Sequence, residues 1–145
     1  MRSVRGRGRV AIVVAAFVLI VAACDRGAGS SASPTSRDLA TKLQDAGYCE
    51  QPKRSDQPAG MPPGYVCGRA SVWAGTSDRQ VDRVLARSRR SVRRILCPEG
   101  GPEFRGVFVV TGRRWLAGYD VAELRRPVER LAKVLNGEVL LLSCP

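Results

Sequence analysis

Apolar positions along this chain recur at two spacings, and the changes of spacing mark its elements. Leu39, Leu43 and Ala46 share one face of a helix expected over 37–46, with Thr35 or Ser36 as its cap and Gly47 at its end. Residues 50–64 (EQPKRSDQPAGMPPG) are proline-rich and polar and predict a loop. The aromatic and β-branched run 65–73 predicts a strand. Ser77 with Gln80 reads as a capping box, opening a helix expected to reach about Leu96, because Pro98 cannot continue it. Its apolar stripe is Val81, Val84, Leu85, Val92, Ile95 and Leu96. Residues 98–103 predict a turn, and 107–110 with 115–119 predict a hairpin. Asp120 and Glu123 suggest another capping box, before a helix carrying Val121, Leu124, Val128, Leu131 and Leu135. Pro127 inside that pattern predicts a kink or a late start. Residues 138–143 predict a short buried strand. The order α-β-α-β-β-α-β points to an α+β two-layer sandwich, a mostly antiparallel sheet of about four strands with helices on one face.

The beginning of the chain follows another pattern. Residues 10–23 are apolar without interruption, and Arg2, Arg5, Arg7 and Arg9 precede them. Fourteen such residues make about 21 Å of helix, short of the ~30 Å hydrocarbon layer. Basic-then-apolar order predicts a secretory signal instead. At its end, Val21-Ala22-Ala23-Cys24 resembles the lipobox of bacterial lipoproteins. That resemblance implies diacylglycerol transfer to the Cys24 sulfur and cleavage before it by signal peptidase II. The expected organisation is a lipoprotein signal peptide over 1–23, a lipidated cysteine and flexible Gly/Ser/Ala/Pro tether over 24–36, and one domain over 37–145. The spacing of helix, Cys49, strand and Cys67 is also similar to that of small exported actinobacterial lipoproteins of unknown function.

Five cysteines are an odd number for an exported protein, and lipidation of Cys24 leaves four. Cys49, Cys67, Cys97 and Cys144 lack CxxC spacing and the chain has no histidine, which argues against zinc and for disulfides. Three pairings are open; Cys49–Cys67 and Cys97–Cys144 are preferred, the first clamping the proline-rich loop and the second tying the second helix to the last strand.

Charge narrows the partners only to a class. From Cys24 onward there are 20 basic and 13 acidic residues, a net charge of +7. Arg79, Arg83, Arg87, Arg90 and Arg94 recur every three or four residues, on one helix face opposite the apolar stripe. Arg113 and Arg114 add charge at the hairpin tip. This face suits anionic lipid or an envelope polymer, or is simply solvated. Export, and the absence of aromatics within the arginine run, argue against nucleic acid.

No catalytic constellation is legible. Without histidine the usual base near neutral pH is missing, and no nucleophile-elbow or phosphate-loop motif occurs. A distant carboxylate pair, such as Glu99 or Glu103 with Asp120, stays open. No metal or cofactor is expected. The expectation is a lipid-anchored, non-catalytic binding or scaffolding module on the outer face of the cell membrane, with a protein partner the sequence does not name. The alternatives are a small envelope-acting hydrolase or transferase, or a soluble secreted effector if Cys24 carries no lipid.

Overall fold

The computed structural model describes residues 32–56, 58 and 60–145, the bulk of the unit Ser33–Pro145. The expected signal peptide, Cys24 and most of the tether lie outside them. Helix α1 (Ser36–Asp45) begins where a reciprocal cap forms. Asp38 N–H donates to Thr35 Oγ1 at 3.2 Å, while the Asp38 carboxylate accepts from Thr35 N–H at 2.8 Å. Those hydrogen bonds hold the Asp38 carboxyl below the usual carboxylate range. Ser36, expected at the end of the tether, is buried, and its Oγ accepts the Ala74 N–H at 2.8 Å.

Six strands, not about four, form one antiparallel sheet in the order β1-β2-β3-β5-β4-β6. They are β1 (Lys53–Ser55), β2 (Gly64–Cys67), β3 (Ala70–Ala74), β4 (Gly106–Gly112), β5 (Trp115–Tyr119) and β6 (Glu138–Ser143). Two of them correct the sequence reading. The run 65–73 is a hairpin rather than one strand, because Gly68 reverses the chain at φ +62° and Cys67 pairs with Ala70. The expected loop 50–64 contributes β1, an edge strand of polar residues whose place comes from backbone pairing to β2.

The helix layer expected on one face is made by α1 and α4 (Arg125–Leu135). Leu39, Leu43, Leu131 and Leu135 pack there against Cys67, Val72, Val110 and Trp115, forming the main core. Each of the four leucines is at most 2% exposed and contributes roughly 1.5–3 kcal/mol of apolar burial. Asp120 and Glu123 do not cap α4, which follows Leu124 with no side-chain cap. Pro127 therefore falls in the first turn, where its missing N–H costs nothing, and the late start is what occurs.

Ser77 caps helix α2 (Asp78–Ser91), its Oγ accepting the Gln80 N–H at 3.3 Å. The expected box does not close, because the Gln80 carboxamide oxygen accepts from Thr76 N–H instead of Ser77. Val81 and Val84 of α2 meet Met61, Trp73 and Leu116, a smaller cluster. Trp73 and Leu116 alternate with core-facing neighbours along β3 and β5, so α2 adds packing on the reverse side of the sheet. It does not end at Leu96. Val92–Leu96 is a π turn, closed by Cys97 N–H donating to the Val92 carbonyl, and a short α3 (Cys97–Glu99) follows. Pro98 fits because it enters a fresh first turn. The wider turn retards the helix phase, and Ile95, expected in the core stripe, is 47% exposed.

Candidate functional site

All four expected disulfide cysteines are paired as preferred. Cys49–Cys67 spans 5.0 Å between Cα atoms and Cys97–Cys144 spans 5.7 Å. The first joins the exit of α1 to β2, and the second joins α3 to the residue after β6. Among the described residues, no group of His, Cys, Asp or Glu is arranged to hold a metal.

The arginine face is present on α2 and its continuation. Arg79, Arg83, Arg87, Arg90 and Arg94 are exposed. Arg87, Arg90, Arg93 and Arg94 line a shallow concavity of about 520 Å³ with Ser91. Arg83 Nε donates to the Arg79 carbonyl at 3.3 Å, and Arg93 Nε to the Ser143 carbonyl at 3.5 Å. Arg87 reaches toward Gly60, where an added Cβ would stand 3.7 Å from its Nη1. Convergent guanidinium groups of this kind suit phosphate or carboxylate oxygens.

Arg113 is exposed at the β4–β5 turn, but Arg114 is not free to join it. Its backbone adopts φ +61°, its N–H donates to Asp78 Oδ1 at 3.0 Å, and its Nε is buried without a hydrogen-bond partner. Arg114 therefore locks the hairpin onto the start of α2 and contributes little to an outward basic surface.

Two further clusters join residues far apart in sequence. Beside the first disulfide, Arg69 Nε donates to Asp120 Oδ2 at 2.8 Å and its guanidinium lies 5.7 Å from the Tyr119 ring centre. The hydrogen bond to Asp120 raises the Arg69 pKa. Tyr48 lies against the same cluster, and burial pushes its hydroxyl pKa up, the neighbouring Tyr119 adding and Arg130 opposing. Asp120 is thus occupied and is not among the groove-lining acids described next.

The second cluster is a groove of about 710 Å³ between α3, the start of β4 and Glu123. Leu96, Phe104, Val107 and Phe108 supply its apolar lining, and Glu99, Glu103 and Glu123 its carboxylates, all exposed. Leu96 was expected in the core stripe; it opens onto this groove at 41% exposure. No sequence motif signals the groove, because its walls come from three separated segments. A sign was nonetheless present: Glu99 and Glu103 stand close before Phe104 in a chain dominated by arginine.

No family model, curated protein or solved structure matches this chain in sequence or fold.

Proposed function

We propose that the chain is an extracytoplasmic lipoprotein, anchored through lipid on Cys24, whose folded unit acts as a non-catalytic binding module at the envelope surface. One observation carries the reading. The two disulfides take four of the five cysteines, and the one left over is the cysteine that closes the lipobox-like Val21-Ala22-Ala23-Cys24. Disulfides of this kind belong to oxidising compartments outside the cytoplasm, which agrees with a basic-then-apolar leader. Two or three acyl chains on one residue give durable attachment, where one chain alone is marginal. The arginine concavity on α2 supports anionic lipid headgroups, or an envelope polymer of the same charge, as the surface on which the module rests.

Intact-mass analysis of the protein extracted from its own membrane tests the anchor. The expected product begins at Cys24 and carries diacylglycerol, and Cys24→Ser accumulates as uncleaved precursor. An unmodified Cys24 in a water-soluble product overturns the reading.

A further inference from the structure

We propose that the groove between α3 and the start of β4 binds an extended cationic peptide, with an apolar side chain on its floor and Lys or Arg side chains at its rim. The inference goes beyond the anchor and the arginine face and rests on neither.

The floor comes first. Leu96, Phe104, Val107 and Phe108 leave an apolar concavity open to solvent, at a volume within the range of ordinary ligand pockets. Apolar surface gathered in a concave place, rather than scattered singly, marks a docking position.

The rim selects the sign of the partner. Three carboxylates line the groove against the single base Arg105, a net of −2, on a chain whose charge from Cys24 onward is +7. Among the described residues the ion pairs are Arg69–Asp120 and Arg125–Glu129, so none of Glu99, Glu103 and Glu123 is neutralised by the abundant arginines. The groove therefore complements a positive charge brought from outside.

The shape of the occupant follows from β4. Strand β5 pairs with it only from Val110 to Gly112, and Phe108 N–H donates instead to the Ala122 carbonyl at 2.6 Å. The loop through Ala122 already occupies that edge, so the occupant adds no strand to the sheet. The groove instead follows the consecutive residues Glu103–Phe108, a run along which an extended segment can lie. The site is also preformed. Phe104 packs so closely on Gly100 that a Cβ there would stand 2.3 Å from its ring. Cys144 N–H donates to the Arg105 carbonyl at 3.0 Å, and Cys97–Cys144 holds α3 to the same residue. A rigid site loses little entropy on binding.

The test uses protein recovered from cells expressing the full chain, with phosphatidylcholine nanodiscs, and a dansylated pentapeptide of alternating leucine and lysine. Fluorescence anisotropy is read against empty nanodiscs. Binding is expected to saturate at one peptide per chain. The triple variant Glu99→Gln, Glu103→Gln, Glu123→Gln should weaken it roughly tenfold, since several partly exposed ion pairs are lost together. Phe104→Ala should weaken it too, while Lys42→Gln with Lys133→Gln, exposed bases outside both surfaces, should leave it unchanged. These groove acids are exposed, so an unaltered melting temperature is expected and keeps the comparison one of binding. Equal affinity in the triple variant, or equal binding of a leucine–glutamate peptide, overturns the proposal. So does a wild-type dimer that Leu96→Asp dissolves, because a second copy would then be the occupant.

Discussion

At position 68 the absence of a side chain decides how the chain turns. A Cβ on Gly68 would stand 2.3 Å from the Tyr48 carbonyl oxygen, and the backbone there has φ +62°. Both the clash and the left-handed conformation oppose any other residue. Gly47 offers a control, since it also has positive φ, at +79°, yet nothing lies within 4 Å of an added Cβ. Gly68→Ala is expected to lower stability by about 1–3 kcal/mol, and Gly47→Ala by no more than about 1–2 kcal/mol. Urea midpoints of the two variants check this, and equal losses would mean that only the dihedral matters. This residue also explains why one strand was expected where two exist. Its neighbours from Tyr65 to Trp73 are strand formers on both sides, so the Gly68-Arg69 pair reads as an interruption, although two residues suffice for a hairpin.

Among the elements, the arginine face is the one whose role can be separated from its structural cost. Arg83, Arg87, Arg90 and Arg94 are exposed, whereas the burial of α2 and its π turn is carried by Val81, Val84 and Val92. Replacing the four by Gln, a comparable helix former, should leave the fold intact. Each basic group near an anionic membrane is worth about 1 kcal/mol, so binding to anionic vesicles should fall by about 100-fold or more at low salt. Near physiological salt the Debye length of ~8 Å should shrink the difference. Co-sedimentation of the chain without its acyl groups, with anionic and neutral vesicles across a salt series, measures it; equal binding to both vesicles would leave the arginines as a solvated face. What could be read in advance follows a physical line. The capped starts of α1 and α2 with their apolar faces were legible, as were β5 and β6 from their apolar runs. Strand β6, expected to be buried, nonetheless lies at the sheet edge with only Leu142 buried. The polar edge strand β1 was not, because its position depends on pairing rather than side chains. The true start of α4 was hidden because Asp120 is drawn to Arg69, which is distant in sequence. The disulfide pairing was legible from where each cysteine falls relative to its element, whereas the groove was invisible because no single segment contains it.

Over the whole molecule, the two disulfides constrain stretches of very different length. Cys49 and Cys67 are 18 residues apart, Cys97 and Cys144 are 47 apart. Loop-closure entropy then gives about 3 kcal/mol for the first and about 4 kcal/mol for the second. Denaturant unfolding of Cys49→Ser/Cys67→Ser and of Cys97→Ser/Cys144→Ser should return that order, with both losses a large share of the stability of a domain this size. The reverse order would show that local contacts, not chain entropy, dominate. The longer bridge depends on something upstream. One turn of the long helix, Val92–Leu96, holds a residue more than an α-helical turn needs, as an insertion would leave it. Each residue of an α-helix advances the phase by about 100°, so that surplus sets the bearing from which Cys97 approaches Cys144. The distance from Ser77 to Cys97 therefore acts as a count: shortening it by one residue changes no side chain that matters, yet aims the cysteine elsewhere. In this stretch, descendants of the chain are freer to exchange residues than to gain or lose one.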